Sequence, residues 1–169
     1  LVMRIVDIQL SFPSILVALI ILAAFGKGVD KTIFALVLVQ WAYYARTARA
    51  SALVESRKEY VDAAKCLSLG NLRIMLNHIL PNCIPPLIVV GTLQTAHAIS
   101  LEATLSFLGL GLPQTEPSLG LLIGNGFEYV HTGDYWISIF PGIALLITIV
   151  SINLVGDQLR DMFNPRLKR

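Results

Sequence analysis

A line of polar side chains in an otherwise apolar stretch is the first place in this sequence where chemistry could occur. Gln94, His97, Ser100 and Thr104 recur at intervals of three or four residues, and the acid Glu102 lies among them. On a helix this spacing places the four polar residues on one face. Such groups could hydrogen-bond a solute, move a proton or, for Ser100 beside His97, supply a nucleophile and its base.

Several interpretations of this polar line stay open. Polar groups are costly in hydrocarbon and usually face a bundle interior or a water-filled path, so they could line a translocation path or a contact between subunits. They could instead make ordinary hydrogen bonds between helices. Glu102 could contact a solute, or it could cap the entry to the SFLGLG loop that follows. A histidine three residues before a serine is more often packing than a catalytic pair, which makes a membrane-embedded hydrolase the less favoured alternative.

The other candidate ligands do not converge on one place. His78, His97 and His131 fall in three separate segments, which argues against a zinc site. Cys66 and Cys83 have neither the spacing of a metal pair nor that of a disulfide framework. The sequence has no G-x-x-x-x-G-K-[ST] phosphate-binding loop. We therefore predict no catalytic residues, metal or cofactor on this chain.

Composition indicates the elements that must position these residues. Of 169 residues, 55% are hydrophobic and only 14% are charged, with a mean hydropathy of +0.70. A soluble domain carries about 25% charged residues, and a disordered chain is far less apolar. The net charge of +2 is too small to suggest a nucleic-acid partner. We therefore predict an all-α bundle of transmembrane helices in contact with lipid.

Four segments are apolar over about the 20 residues that a bilayer requires. They are residues 8–25, 32–53, 82–106 and 137–155. Pro13 lies in the first turns of the first segment, and Arg46 and Arg49 interrupt the second. The chain begins at Leu1 without a signal peptide, so we expect its N-terminus to be missing.

Basic residues predict the orientation of these spans. Two of them, Lys27 and Lys31, lie between the first and second spans. The other eleven lie before the first span, at the far end of the second span, between the second and third, or after the fourth: Arg4, Arg46, Arg49, Arg57, Lys58, Lys65, Arg73, Arg160, Arg166, Lys168 and Arg169. The positive-inside rule then places both ends of the chain in the cytoplasm and residues 106–136 outside.

Residues 55–82, between the second and third spans, are too polar to cross a membrane and too patterned for a simple loop. Apolar or small residues recur at helical spacing in two runs: Val61, Ala64, Leu67 and Ser68, then Leu72, Met75, Leu76 and Ile79. We expect Gly70 to supply a left-handed bend between two short helices, and Pro81 to end the second. Asp62, Ala63 and Ala64 together present a small and charged surface that suits a groove on a soluble partner.

This segment, DAAKCLSLGNLRIMLNHILPN, resembles the EAA loop of permease subunits from binding-protein-dependent ATP-binding cassette importers. That pattern reads Glu-Ala-Ala, three residues, Gly, nine residues, then Ile-x-Leu-Pro. The sequence matches it, with Asp for Glu, at Asp62, Ala63, Ala64, Leu80 and Pro81. Ser68 stands where the pattern has Gly and His78 where it has Ile. Because Gly70 follows two residues later, the bend is expected to be displaced to it.

Three further stretches resemble the dipeptide, oligopeptide and nickel branch of these permeases, in its second subunit. They are MRIVDIQLSFPSILVAL (residues 3–19), ATLSFLGLGLP (103–113) and FPGIALLITIVSINLVGDQLRD (140–161). The resemblance covers residues 1–169 as one transmembrane domain, with residues 55–82 as the coupling segment within it. Such permeases usually have six spans, which implies that the first two are absent here.

The resemblance implies a subunit of an inner-membrane importer that is itself not an enzyme. Its partners would be a second permease subunit, two ATPase subunits that bind ATP and Mg, and an extracytoplasmic substrate-binding protein. The solute would be a peptide, nickel or a related small molecule. Contact with the ATPase is implied for Asp62, Ala63, Ala64, Leu67, Ser68, Gly70, Leu80 and Pro81. A self-sufficient pore without ATPase partners is a second alternative beside the hydrolase.

Overall fold

The computed structural model describes residues 1–163, and these residues form helices joined by turns, with no strand among them. The helices are α1 (Val2–Leu10), α2 (Ser14–Phe25), α3 (Val29–Glu55), α4 (Glu59–Cys66), α5 (Asn71–Ile74), α6 (Leu80–Phe107), α7 (Leu119–Phe127) and α8 (Trp136–Phe163). A π-helical turn, Met75–Ile79, joins α5 to α6, and a 3₁₀ turn, Val130–Thr132, follows α7. The predicted all-α class is confirmed. Arg166, Lys168 and Arg169, which contributed to the predicted orientation, lie outside the described residues.

The first predicted span is not one straight helix. Pro13 has an extended backbone (φ −57°, ψ 128°), and the axes of α1 and α2 on either side differ by 99°. Proline ends α1 here because its ring prevents the preceding residues from continuing a helix. On α1, Gln9 ties the helix to α3: its Nε2 donates to the Val39 carbonyl at 3.2 Å, and the Trp41 Nε1 donates to its Oε1 at 2.7 Å.

Length and composition support two or three membrane-spanning helices among residues 1–163 rather than the predicted four. The continuous helix Asn71–Phe107 and α8 are long and apolar enough, and the bent pair of α1 and α2 could count as a third. Helix α3 has 27 residues but does not qualify. Its uncharged stretch between Lys31 and Arg46 is only 14 residues long, which is short for a bilayer.

Helix α6 lies at the centre of the bundle and packs against α3, α7 and α8. The core between α2, α3 and α6 consists of Ala18, Leu22, Ala35, Val39, Leu101 and Leu105. Many large apolar side chains on the outside remain exposed, among them Ile20, Phe140 and Leu146 at 60–70%. A surface of this kind is stable only against lipid or against further protein.

Candidate functional site

Residues 55–82 fold as two short helices over the end of the bundle, and we call this segment the hook. Val61 and Ala64 of α4 and Ile74 of α5 form its core, at most 5% exposed, with Leu69 and Ile79 packed against them. Other apolar residues of the two predicted helical runs lie on the outside of the hook: Leu67, Leu72, Met75 and Leu76 are 46–75% exposed.

The bend of the hook lies at Ser68 and not at Gly70. Ser68 has a left-handed backbone with φ +56°, whereas Gly70 is extended (φ −61°, ψ 142°) and begins α5. The Leu69 N–H donates to the Ala64 carbonyl at 3.3 Å and the Ser68 N–H to the Lys65 carbonyl at 2.9 Å. This pair of bonds is the Schellman arrangement that ends many helices. The chain thus bends at the position where the resembled pattern has Gly, and the predicted displacement of the bend to Gly70 is wrong.

The predicted small-residue surface of α4 divides between two sides of the helix. Ala63 is exposed, whereas Ala64 is buried against Ile74 and lets α4 and α5 approach each other. Asp62 also faces outward, and its carboxylate pairs with the Lys65 ammonium at 2.9 Å. Both side chains are more than half exposed, so this pair contributes little to stability. Asp62, Ala63 and the exposed Leu67 form the outward surface of the hook.

Pro81 does not end the second helix of the hook. Proline has no N–H, so in a regular α-helix the Asn77 carbonyl would lose its partner four residues on. The turn before it is π-helical, and the Leu80 N–H reaches back five residues to the Met75 carbonyl. A continuous helix therefore runs from Asn71 to Phe107, with the exposed Leu80 and Pro81 at the joint between the hook and the bundle.

A group of polar side chains, which we call the clasp, closes the base of the hook. Its members are Glu55, Lys58, Tyr60, Asn82 and the carbonyl of His78. The Tyr60 hydroxyl donates to the Glu55 carboxylate at 2.7 Å, and the Lys58 ammonium donates to the same carboxylate at 2.6 Å. The Asn82 amide donates to the His78 carbonyl at 2.7 Å and to the Tyr60 hydroxyl at 3.3 Å.

The clasp changes the acidity of its members. The hydrogen bonds from Lys58 and Tyr60 lower the pKa of Glu55 below its ordinary value and so favour the ionised carboxylate. Burial and the bond to Glu55 raise the pKa of Tyr60 to about 12. The clasp thus contains an ionised Glu55 and a neutral Tyr60 at physiological pH. Sequence reasoning missed it because its members are spread over 28 residues.

The polar line on α6 is not joined into one network. The Thr104 hydroxyl donates to the Ser100 carbonyl of its own helix at 2.8 Å, and the His97 ring lies 6.2 Å from the Tyr43 ring. His97, Ser100 and Thr104 are exposed on the isolated chain. The Gln94 Oε1 is buried with no hydrogen-bond partner in residues 1–163. The same residues also hold no group of three His, Cys, Asp or Glu that could bind a metal.

Glu102 organises the opposite end of α6. Both the Ser106 and the Ser118 hydroxyls donate to its carboxylate, at 2.6 and 2.9 Å. These hydroxyls in turn accept backbone N–H bonds from Leu112 and Gly120, at 3.2 and 3.1 Å. The acid thereby connects α6 to residues 108–135, the segment before α8, which we call the cap. These contacts match the structural alternative for Glu102, and its contact with a solute stays a prediction.

Glycines pack the cap directly onto backbone. A Cβ added at Gly120 would collide with the Ala103 backbone, and one at Gly124 would lie 2.9 Å from the Phe107 carbonyl oxygen. At Gly126 it would lie 2.7 Å from the backbone of Ile137 on α8. The G-x-x-x-G spacing of Gly120 and Gly124 is a signal for close helix packing. It looks weak in a segment too short to span a membrane, yet it seats α7 on α6.

Comparison with known proteins identifies the family to which this chain is similar. Residues 1–169 match the family of binding-protein-dependent transport system inner membrane components. A putative peptide transport system permease protein of Brucella suis is 47% identical over 168 residues, 99% of this chain and 56% of the relative. The dipeptide transport system permease protein of Escherichia coli K12 is 39% identical over the same shares. A di/tripeptide transport system permease protein of Pseudomonas aeruginosa is also 39% identical, over 99% of this chain and 55% of its own length. The chain thus spans just over half the length of these relatives.

Proposed function

Because the chain belongs to the family of binding-protein-dependent transport system inner membrane components, we propose that it is part of a permease subunit of an ATP-driven importer. The observation that carries this proposal is the hook, a folded unit continuous with the membrane-capable helix Asn71–Phe107. Its outward surface of Asp62, Ala63 and Leu67 is exposed within residues 1–163. A partner ATPase subunit is the occupant that we propose for this surface.

The hook could transmit motion because it is joined to the bundle without a flexible linker. ATP and Mg are bound by two partner ATPase subunits, and their closure displaces the outward surface of α4. The core of Val61, Ala64 and Ile74 passes this displacement to α5. The continuous helix then carries it from Asn71 toward Glu102 and the cap at its other end. The chain itself performs no ATP chemistry.

The polar line on α6 is our candidate for the translocation path. Gln94, His97, Ser100 and Thr104, with Glu102 near the end of the line, belong to the helix that the hook displaces. The buried and unpartnered Gln94 Oε1 and three exposed polar neighbours fit a helix that faces water or a second permease subunit in the assembled importer. Similar proteins are named for peptide transport, so a peptide or a related small solute is our proposed cargo, and nickel is the alternative cargo.

The proposed topology follows from the basic residues. The hook and both ends of the fragment lie in the cytoplasm, which requires α3, with its short uncharged stretch, to cross the membrane as well as the bent pair of α1 and α2. The cap faces an extracytoplasmic binding protein that delivers the solute. No specific contact favours a membrane-embedded hydrolase, since His97 and Ser100 form no hydrogen bond to each other within residues 1–163. A self-sufficient pore would have no use for the exposed surface of the hook. Co-purification of ATPase subunits with the full-length permease separates the importer from both alternatives.

The sharpest test changes the outward surface and spares the core of the hook. In the full-length permease, Asp62→Lys places a second cation beside Lys65, and Ala63→Leu adds bulk to the exposed side of α4. We expect each change to lower transport at least tenfold in proteoliposomes with the partner subunits. Asp62→Lys should do so because an interface loses about 2–5 kcal/mol when a buried charge pair is broken, and Ala63→Leu because the added bulk keeps the two surfaces apart. Membrane insertion should be unchanged.

Asp62→Glu is the matched control, because it keeps the charge and restores the residue of the resembled pattern. It should transport like the wild type. Ala64→Leu serves a different purpose: it should unfold the hook, because Ala64 is 5% exposed against Ile74. Wild-type transport and substrate-stimulated ATPase activity in both Asp62→Lys and Ala63→Leu would contradict the proposed coupling surface.

A further inference from the structure

The clasp joins three helices, α3, α4 and α6, through side-chain hydrogen bonds. Glu55 is the last residue of α3, Tyr60 lies in the first turn of α4, and Asn82 lies in the first turn of α6. The Tyr60 hydroxyl is the atom that connects them, since it donates to Glu55 at 2.7 Å and accepts from Asn82 at 3.3 Å. Replacing this one hydroxyl would therefore remove the side-chain link from Glu55 of α3 to Asn82 of α6.

The clasp lies directly beside the π-helical turn. The His78 carbonyl, within that turn, accepts the Asn82 amide at 2.7 Å, and the Tyr60 hydroxyl is 3.4 Å from it. A π-helical turn leaves backbone carbonyls out of the regular α-helical ladder, and such turns are frequent at functional sites. Here side chains of α4 and α6 meet a carbonyl of this turn, so the clasp and the turn form one joint.

The carboxylate at the centre of the clasp is well shielded. Glu55 is 9% exposed, and an ionised group buried to this degree is stable only when it is paired and hydrogen-bonded. Both donors to it, Lys58 and Tyr60, come from the connection into α4 and its first turn. A tilt of α4 away from α3 would leave the buried Glu55 carboxylate without its hydrogen-bond donors. The free-energy cost of that loss opposes the tilt.

We propose that the clasp sets the angle between the hook and α6, and that Glu55, Tyr60 and Asn82 are positioning residues for the transfer of motion between them. This inference rests on the proposed function. The clasp touches neither the outward surface of α4 nor the polar line on α6. Loss of the clasp should therefore weaken transmission while leaving the ATPase contact in place.

The test is Tyr60→Phe, which removes the bridging hydroxyl and keeps the ring. In the full-length permease, reconstituted with its partner subunits, the number of solute molecules transported per ATP should fall at least threefold. Basal ATP hydrolysis and co-purification of the ATPase should stay at the wild-type level. Glu55→Ala should lower the ratio at least as much, whereas Glu55→Gln, which keeps an acceptor for Tyr60, should lower it less.

The chain supplies its own probe of the joint. Cys83 follows Asn82 on α6 and is 3% exposed, whereas Cys66 at the end of α4 is exposed. Tyr60→Phe should raise the rate at which a maleimide modifies Cys83 by about tenfold, the factor expected for one lost hydrogen bond of ordinary strength. The rate at Cys66 should not change. Tyr135→Phe removes a hydroxyl at the other end of the bundle and should alter neither quantity.

The outcomes separate this inference from the proposed function. Wild-type coupling and wild-type Cys83 protection in Tyr60→Phe, beside uncoupling in Asp62→Lys, would overturn the clasp alone. Faster Cys83 modification with a normal transport ratio would also overturn it, since the joint would then open without consequence. Wild-type coupling in the Asp62 and Ala63 variants as well would overturn the proposed function itself.

Discussion

The hook and the cap lie at opposite ends of the same long helix, and they are held to it in different ways. The hook depends on side chains: a core of three small or medium residues and the hydrogen bonds of the clasp. The cap depends on backbone: Gly120, Gly124 and Gly126 bring α7 against the main chains of α6 and α8. A hydrogen bond contributes about 0.5–1.5 kcal/mol net and can break alone, whereas close backbone contacts along a helix must separate together.

This difference indicates which end yields when the helix between them is displaced. The cap should move as one body with α6 and α8, because its glycine contacts leave no room for sliding. The hook should tilt about its joint, because its outward surface is free and its inward contacts are few. The polar line on α6 lies between these two ends. With a rigid cap and a hinged hook, movement at the hook end of α6 would shift the polar side chains of that line relative to their surroundings.

Breaking the cap should have the largest effect. Gly120→Val places a branched side chain against the Ala103 backbone, which cannot yield as a flexible side chain can. We expect a loss of at least about 3 kcal/mol of stability, at the upper end of the cost of overpacking, and failure of the full-length permease to accumulate in the membrane. Membrane yield and the midpoint of thermal unfolding in detergent measure both effects.

Gly142→Ala is the control for that experiment. Gly142 lies inside α8, and a Cβ added there meets nothing within 4 Å. The substitution should be neutral or slightly stabilising, because alanine favours a helix over glycine by about 1 kcal/mol. A midpoint for Gly120→Val equal to that of Gly142→Ala would mean that α7 does not sit on α6 as described.

A smaller change at the cap should loosen it without unfolding the protein. Ser118→Ala removes the hydroxyl that donates to Glu102 and accepts the Gly120 N–H. Loss of this helix cap should cost about 1–2 kcal/mol. Amide hydrogen exchange should accelerate in residues 119–127 and stay unchanged in the hook. Thr115→Ala, on an exposed residue of the same segment, should leave exchange at both ends as it is.

The features that the sequence predicted correctly are those that depend on residues close together in the chain. Apolar runs indicated α8 and the helix through Gln94, and helical spacing indicated the two short helices of residues 55–82. The polar residues within apolar segments were visible as well, although their partners were not. Each of these features follows from the types and spacing of neighbouring residues, and none requires knowledge of a distant contact.

Contacts between distant residues decided the rest. The clasp joins positions 55, 60 and 82, which share no period, and the cap depends on what Gly120 meets across the bundle. Pro13 was visible, but the 99° angle at it depends on the packing of α1 against α3. Ser68 was judged less able than Gly70 to take a left-handed backbone, and the tertiary packing of Ala64 against Ile74 overrode that preference.

The position of the bend gives the smallest expected effect and separates the two candidate residues cleanly. Ser68 has φ +56° and pays a steric penalty there that glycine avoids. Ser68→Gly should therefore stabilise the hook by about 0.5–1 kcal/mol, after the greater freedom of glycine in the unfolded chain is subtracted. Gly70→Ala should be nearly neutral, because φ is −61° and nothing lies within 4 Å of the added Cβ. Slower hydrogen exchange of the α4 amides in Ser68→Gly, at constant transport, is the result that we expect. The reverse pattern, in which Gly70→Ala loosens α4 and Ser68→Gly does not tighten it, would place the bend at Gly70.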